Sequence, residues 1–255
     1  MKIIILGSGT SQGVPKIGCY CETCISKNPK DKRLRTSAYI EIQGQKILID
    51  TSVDFRQQML NNNITDLDAI LYTHHHVDHI LGLDDVRQIN QLHKKYIDLY
   101  GNNLTMEEIK TTFRYAFNEE MIKHLAVPLI KINKIENKNF KIRNIDVIPI
   151  EVMHGKLPIF GYRIGNFAYI TDCSRIPETE LKKLKGLDVL ILNALRIEPH
   201  PTHLNVEEAV RMAEKLKPKK TYLTHMTHDI NHDKINSGLP KHIELAYDGL
   251  TININ

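Results

Sequence analysis

The sequence predicts an α/β fold. Short apolar runs rich in Ile, Val and Tyr recur along most of the 255 residues, as strands of a packed sheet do. The clearest helix runs from Val206 to Leu216, with its apolar residues on one face and a capping pair formed by Asn205 and Glu208. No internal repeat and no linker rich in Pro, Gly or Ser divides the chain, so we expect one domain over residues 1–255.

Eight strands are predicted in order along the chain. They cover Lys2 to Leu6, Ser37 to Ile42, Lys46 to Asp50, Ala69 to Thr73, Ile145 to Ile150, Ala168 to Thr171, Asp188 to Leu192 and Thr221 to Thr224. Strand signals vanish after Asp84, and Gly101-Asn102-Asn103 separates two polar helical stretches, the second capped at Thr105. We therefore expect a helical insertion at about 84–125.

Composition and charge limit the class of protein. Thirty-four Lys and Arg against thirty Asp and Glu leave a net charge of +4, and 42% of the residues are apolar. No apolar run approaches the roughly 18 residues that a membrane span needs, and the first apolar run stops at Gly7, too early for a signal peptide. We therefore expect a cytoplasmic protein with no membrane partner. The mild positive charge fits a small anionic substrate as well as nucleic acid.

Possible metal ligands follow the ends of three predicted strands. Each of these strands ends in Thr, and the next residue is His74, Asp172 or His225. Side chains at strand ends sit on a rigid scaffold, where catalytic groups tend to lie. The sequence therefore predicts that the metal ligands and catalytic groups lie at one set of strand ends.

The segment after Thr73 contains the pattern His-x-His-x-Asp-His. On a tight loop, His74 and His76 can point to one centre while Asp78 and His79 point to a second, and His75 points away. Imidazole and carboxylate ligands favour zinc, manganese or iron, and two metals about 3.5–4 Å apart can clamp both oxygens of a displacement. Further ligands for two such metals are expected downstream: His154, Asp172 and His225.

Three cysteines form a second cluster. Cys19, Cys21 and Cys24 lie within six residues, a spacing that in a reducing compartment favours metal ligands over a disulfide framework. A structural zinc takes four tetrahedral ligands, and the best candidate for the fourth is His228. The alternative is three reduced cysteines in a loop. Cys173 stands apart, and we expect it to be a plain buried residue.

The ordered ligand set resembles the metallo-β-lactamase superfamily of binuclear hydrolases. The resemblance implies an αββα sandwich of two mixed sheets with helices outside and a dimetal site at one edge. It also implies ligand roles: one metal is held by His74, His76 and His154, the other by Asp78, His79 and His225, and Asp172 bridges the two. An aspartate at the bridging position is typical of the phosphodiesterase and thioesterase branches.

The cysteine cluster narrows this resemblance. The segment from Leu6 to Pro15, the three cysteines and the pair His225 and His228 together resemble the phosphoribosyl cyclic phosphate phosphodiesterases. That branch implies two divalent metals, often manganese, beside one structural zinc, a homodimer, and a small anionic phosphoester such as phosphoribosyl cyclic phosphate as substrate. The glycines after Leu6 do not fit a dinucleotide fingerprint, because their spacing is one residue too long.

The same resemblance assigns a role to one more histidine. His203 stands where related phosphodiesterases keep a histidine that contacts the phosphate or protonates the leaving oxygen, and His200 is the second choice. A surface residue at the start of a helix is the alternative reading of His203. In the expected mechanism a hydroxide shared by the metals attacks phosphorus, Asp78 and Asp172 orient the site, and His203 donates to the departing oxygen. Asp78 and His203 are therefore the expected catalytic residues.

Other functions remain open at this point. An RNase Z-like nuclease acting on tRNA is the first alternative, although the segment 84–125 mixes Lys and Arg with Asp and Glu and forms no clear RNA grip. Thioester hydrolysis is a further alternative. The last is a non-catalytic module whose zinc sites are structural and whose cysteine cluster binds a partner.

Overall fold

Two seven-stranded sheets form the centre of the computed structural model, which describes residues 1–124 and 126–254. The strands are β1 (Lys2–Gly7), β2 (Ser37–Ile42), β3 (Gln45–Ile49), β4 (Ala69–Leu71), β5 (Ile97–Gly101), β6 (Ile130–Lys134), β7 (Phe140–Ile142), β8 (Ile145–His154), β9 (Leu157–Ile164), β10 (Phe167–Ile170), β11 (Val189–Asn193), β12 (Lys220–Thr224), β13 (Ile243–Leu245) and β14 (Thr251–Asn253). The first sheet has the order β14-β1-β2-β3-β4-β5-β6, and the second has the order β13-β12-β11-β10-β9-β8-β7. In both sheets one half pairs antiparallel and the other half, from β3 to β6 and from β10 to β13, pairs parallel.

Helices cover the outer faces of the two sheets. They are α1 (Glu22–Ile25), α2 (Phe55–Asn61), α3 (Val77–Ile80), α4 (Val86–His93), α5 (Asn103–Thr112), α6 (Glu119–Lys123), α7 (Glu178–Leu181), α8 (Val206–Leu216) and α9 (His232–Asn236), with 3₁₀ turns at Pro29–Asp31, Leu81–Asp85, Arg114–Phe117 and Lys182–Leu184. The predicted helix is confirmed as α8, and Asn205 and Glu208 form a capping box at its start. Within the described ranges, none of the helices has the length and apolar character that a membrane crossing requires.

The alternation of side chains along the strands explains the layering. In β1, Ile3 and Ile5 belong to the core between the two sheets, whereas Ile4 and Leu6 belong to a separate core beneath α2 and the helices that follow it. Successive side chains of a strand point to opposite faces, so an apolar residue at every position means that both faces are covered. A third core lies between the second sheet and α8. The expected αββα sandwich of two mixed sheets with helices outside is confirmed.

The segment 84–125 was expected to be a helical insertion, but the structure shows that it is not wholly helical. Ile97–Gly101 forms β5, which pairs in parallel with β4 on one side and β6 on the other. Ile97 and Leu99 are fully buried there. The expectation was wrong because the pairing comes from two neighbouring strands that are distant in sequence, and local sequence does not show them.

The second helical stretch of this segment also starts earlier than expected. The helix α5 begins at Asn103, and the side chain of Asn102 accepts a hydrogen bond from the backbone N–H of Thr105 at 2.8 Å. The N-cap residue is therefore Asn102, and Thr105 is the residue whose backbone N–H it caps. Leu125, the last residue of the predicted segment, lies outside the described residues.

Candidate metal centre

The predicted ligands meet at one edge of the sandwich, where strands end. His74 lies just beyond β4, Asp172 just beyond β10 and His225 directly after β12, while His154 is the last residue of β8. The carboxyl ends of parallel strands are the usual location of ligand sites in sheets of this kind. A pocket of about 410 Å³ opens at this edge and is lined by His154, Asp172 and His225 among others.

The donor atoms fall into two groups, and within each group they lie within 4.8 Å of one another. The first group is His74, His76 and His154, and the second is Asp78, His79 and His225. Asp172 lies within the same distance of His74 and His79, and also of His154 and His203. The structure thus brings together all seven predicted dimetal ligands. His75 belongs to none of these groups.

The Asp172 carboxylate lies between the two groups. It lies within 4.8 Å of His74 and His154 in the first group. In the second group, its Oδ2 is 3.3 Å from His79 Nε2 and its Oδ1 is 3.1 Å from His225 Nε2. The hydroxyl of Thr171 donates to Oδ2 at 2.7 Å and holds the carboxylate in place. Burial raises the pKa of Asp172, but His225 and His79 outweigh it and hold this pKa well below its ordinary value. The side chain is therefore ionised and available to both groups.

Several ring nitrogens in the site are better explained as metal ligands than as hydrogen-bonding groups. His79 Nε2 and both ring nitrogens of His225 are buried and have no hydrogen-bond partner among the described residues. His79 Nε2 nevertheless faces Asp78 Oδ2 and Asp172 Oδ2, each at 3.3 Å. Ligands about 2.1 Å from one ion lie roughly 3.0–3.4 Å apart in octahedral or tetrahedral geometry. The residues present therefore fit a pair of divalent metals.

Asp50 is a functional residue that the sequence analysis missed. It is fully buried, and its Oδ2 accepts a hydrogen bond from His79 Nδ1 at 2.7 Å. The hydroxyl of Thr73 donates to the same oxygen at 2.8 Å and accepts from His74 Nδ1 at 3.0 Å. When each ring is neutral, these contacts place its proton on Nδ1 and leave Nε2 available to a metal. The only sequence signal was an acid at the end of a predicted strand.

The third histidine of the first group is fixed in a similar way. His154 Nδ1 lies 2.9 Å from the carbonyl oxygen of Thr202, which can only accept, so this nitrogen carries the proton. His154 Nε2 is therefore the unprotonated nitrogen, and it is the one available as a ligand.

Three residues of the site adopt a left-handed backbone conformation. The φ angles are +61° at Asp50, +54° at Asp172 and +59° at His225. Side chains other than glycine adopt this region at an energetic cost, and such residues are often found at functional sites. Here the conformation turns each side chain inward at the end of its strand, so the site contains stored backbone strain.

The cysteine cluster is a separate donor group. Cys19, Cys21, Cys24 and His228 have ligand atoms within 4.8 Å of one another, and His228 Nδ1 is 3.4 Å from the first sulfur and 3.3 Å from the second. The hydrogen bond from His228 lowers the pKa of Cys21, whereas burial raises the pKa of Cys24 to about 11. All four cysteines of the chain are free, and Cys173 is buried as expected. Three thiols and one imidazole are a donor set for tetrahedral zinc.

His203 lies beside the predicted metal ligands. Its Nε2 is 3.2 Å from Asp172 Oδ1, and its Nδ1 is 2.9 Å from the hydroxyl of Thr202 and 3.1 Å from His200 Nδ1. Burial lowers the pKa of His203 to about 4, so its ring is neutral at pH 7. Because a carboxylate only accepts, the neutral ring donates from Nε2. Both histidines line the pocket, which makes each available to a substrate.

A family profile described as a β-lactamase superfamily domain matches residues 45–226, a range that includes all seven predicted dimetal ligands. The chain belongs to the metallo-β-lactamase superfamily. The resemblance to this superfamily that the motifs predicted is therefore confirmed.

Three similar proteins extend this finding. The solved structure of a diphosphatase from the PhnP family is 43% identical with a TM-score of 0.93, covering 100% of this chain and 98% of that chain. Zn²⁺-bound PqqB from Methylobacterium extorquens shares the fold, with 20% identity, a TM-score of 0.79 and full coverage of both chains. An octanoyltransferase of Porphyromonas gingivalis is 39% identical over 98% of this chain and 51% of that protein. This chain spans about half the length of that relative, so the transferase name is not carried over.

Proposed function

We propose that this metallo-β-lactamase superfamily hydrolase is a phosphodiesterase that works with two divalent metals. The observation that carries the proposal is the position of the Asp172 carboxylate between the two donor groups. It lies within 4.8 Å of His74 and His154 of the first group and 3.3 Å from His79 Nε2 of the second. The similarity to a diphosphatase of the PhnP family supports chemistry at phosphorus.

The chain provides a set of ligands for each proposed metal. His74, His76 and His154 are the ligands proposed for one metal, Asp78, His79 and His225 for the other, and Asp172 for both. Zinc or manganese suits these donors, and the Cys19, Cys21, Cys24 and His228 group suits one structural zinc. The metal pair supplies positive charge for phosphate oxygens and activates water at neutral pH.

The protein's own residues position the reaction. Asp78 and Asp172 are the oriented carboxylates of the site, and Asp50 holds two ligand rings in the correct tautomer. His203 is proposed as the donor to the leaving oxygen. Its ring is neutral in the protein alone, and the negative charge of a bound phosphate would raise its pKa towards the range that proton transfer needs. His200 contacts His203 and is the second choice for this role.

A small cyclic phosphate ester, such as phosphoribosyl cyclic phosphate, is the proposed substrate. A pocket of about 410 Å³ lies in the range of small-molecule sites. Two basic side chains near α4 and α5 are paired with acids, Arg87 with Asp84 and Lys110 with Glu107, and these pairs give no support to nucleic acid as a partner. A homodimer in the cytoplasm is part of the proposal, and free thiols suit that reducing compartment.

The test combines metal content with turnover. The purified protein should contain about three metals per chain by mass spectrometry and should hydrolyse bis(p-nitrophenyl) phosphate once manganese or zinc is restored. Replacing Asp172 by Ala should abolish both the metal pair and the turnover, whereas Asp146→Ala, at an exposed position of β8, should change neither. Turnover retained by Asp172→Ala, or a single zinc with no turnover, would contradict the proposal.

A further inference from the structure

Two buried hydroxyl groups next to the candidate metal centre have no part in the proposed reaction. Thr51 directly follows Asp50, Tyr72 directly precedes Thr73, and the side chains of Thr51 and Tyr72 are fully buried. Their hydroxyl oxygens are 2.8 Å apart. A buried hydroxyl costs free energy unless it is hydrogen-bonded, and Val and Phe would fill the same space without that cost. The contacts of this pair therefore indicate what the hydroxyls stabilise.

The Thr51 hydroxyl holds the segment that carries Asp78 and His79. It donates to the carbonyl oxygen of Ile80 at 3.1 Å. A hydroxyl has only one proton to donate, so Tyr72 is the donor within the hydroxyl pair. Donation thus runs from Tyr72 to Thr51 and on to Ile80, and consecutive hydrogen bonds of this kind strengthen one another.

The main chain of Thr51 holds the same segment a second time. Its carbonyl oxygen accepts a hydrogen bond from the backbone N–H of Gly82 at 3.1 Å. Gly82 lies so close to the neighbouring strand end that a Cβ there would collide with the carbonyl oxygen of Ser52. Thr51 therefore fixes the chain on both sides of Leu81.

The helix α3 needs such contacts to keep its place. It has only four residues, Val77–Ile80, too few to be stable through its own hydrogen bonds. The Asp78 carboxylate faces the ligand rings of His79 and His225, at 3.3 and 4.0 Å, and receives no hydrogen bond from elsewhere in the described part of the chain. The position of Asp78 therefore depends on the main chain of α3.

Two of the ligands proposed for the first metal are held by other groups. The hydroxyl of Thr73 contacts His74 Nδ1, and the carbonyl oxygen of Thr202 contacts His154 Nδ1. Neither contact involves Thr51. A change at Thr51 should therefore act mainly on the second metal, the one assigned to Asp78, His79 and His225.

We propose that Thr51 is a positioning residue for the second metal. Its hydroxyl, oriented by Tyr72, fixes the end of α3 and thereby sets how tightly Asp78 and His79 bind that metal. The inference rests on the proposed function, because it concerns the same metal pair. Residues that orient metal ligands typically change metal affinity about 10- to 100-fold.

The test counts the zinc ions that a chelator leaves on each chain, by native mass spectrometry of the zinc-loaded protein. In Thr51→Val, which keeps the shape of the side chain without its hydroxyl, one zinc should bind about tenfold more weakly and the others as in the wild type. Thr51→Ser keeps the hydroxyl and should restore the affinity. Thr105→Val is the control, because the Thr105 hydroxyl is fully buried and has no partner within the described residues.

Ligand variants identify the zinc that is affected. Added to His225→Ala, which removes a ligand of the second metal, Thr51→Val should not weaken the zinc ions that remain. Added to His76→Ala, which removes a ligand of the first metal, it should weaken the remaining zinc of the pair about tenfold.

Urea unfolding of the metal-free protein separates positioning from a general structural role. Thr51→Val leaves the Tyr72 hydroxyl buried without its acceptor, and Tyr72→Phe removes that hydroxyl. The double variant should therefore unfold at a higher urea concentration than Thr51→Val alone. Its second zinc should still bind about tenfold more weakly than in the wild type, because the donor to Ile80 is absent from both variants.

The outcomes distinguish this inference from the proposed function. Wild-type affinities in Thr51→Val, equal weakening of every zinc, or affinity that recovers with stability in the double variant would overturn the inference, and wild-type turnover of bis(p-nitrophenyl) phosphate would still support the proposed function. If the wild type binds three zinc ions but cleaves no phosphodiester, the proposed function fails, and selective loss of the second zinc in Thr51→Val supports the inference. A wild type that binds zinc at the cysteine group alone overturns both.

Discussion

Arg33 is a buried cation whose removal should destabilise the protein strongly. Its Nη1 donates to the carbonyl oxygen of Thr227 at 3.0 Å and its Nη2 to that of Ile230 at 2.7 Å, while Nη2 also lies 3.4 Å from Asp31 Oδ1. Thr227 and Ile230 flank His228, the proposed fourth zinc ligand. Arg33 therefore holds the segment that carries this ligand, and we consider the substitution Arg33→Met.

The contacts that Arg33 makes determine how much stability Arg33→Met should lose. Methionine fills most of the space but leaves the buried carboxylate of Asp31 without its counter-ion and two carbonyl oxygens without their donors. Removing one partner of a buried ion pair costs about 3–5 kcal/mol, and an unsatisfied buried acceptor costs about 1–3 kcal/mol. These contributions overlap, because relaxation and water satisfy part of each. We expect the free energy of unfolding to fall by about 3–5 kcal/mol, together with a loss of zinc.

Urea unfolding of the metal-loaded protein, with zinc content measured in parallel, is the assay. Arg211→Met serves as the control, because its exposed pair with Glu207 is worth about 0.5 kcal/mol or less. The double variant Asp31→Asn with Arg33→Met should lose less stability than Arg33→Met alone, since no uncompensated charge remains. A loss below about 1 kcal/mol for Arg33→Met, with zinc retained, would refute the reasoning.

Three further substitutions test other parts of the structure. Asp50→Asn should weaken metal binding about 10- to 100-fold in a chelator competition, because it disturbs the tautomers of His74 and His79, and unchanged affinity would contradict this role. Cys21→Ala should remove the zinc of the cysteine group and lower Tm, whereas Cys173→Ala, which alters a buried thiol outside that group, should keep the metal content; equal zinc in both variants would count against the site. Burial raises the pKa of Asp248 to about 6, so the folded protein keeps a proton that the unfolded chain releases near pH 4. Stability should therefore fall by about 3 kcal/mol as pH rises from about 3 to about 7, and Asp248→Asn should remove this contribution in urea unfolding; parallel profiles for the two proteins would be evidence against it.

The fold was predictable where the signal is local. The eight predicted strands all occur in the described structure within two residues of their expected ends, apart from the longer β8, and α8 has the capping box that Asn205 and Glu208 predicted. Strands such as β5 and the short β13 were missed, because their pairing depends on neighbours that the fold supplies. Runs of three to five residues carry too little pattern in sequence to reveal such pairing.

The site was predictable to the extent that its ligands are close in sequence. His74, His76, Asp78 and His79 stand within six residues, so their spacing alone indicated metals. The assignment of the distant ligands to each metal came from the family resemblance. Asp50 lies more than twenty residues from the rings that it orients, and its contact with them depends on a left-handed turn after β3. The spacing of residues in the sequence does not reveal such a turn.

At the three residues of the candidate metal centre with a left-handed backbone, the side chain that the site needs lowers the stability of the fold. Glycine would adopt the backbone of Asp50, Asp172 or His225 without the penalty, which is on the order of 1 kcal/mol at each position. A selection for heat resistance alone would therefore reward the substitutions that remove a proposed metal ligand or the residue that supports it. Efforts to stabilise this protein should keep these three positions fixed and change residues on the outer helices, where no such conflict exists.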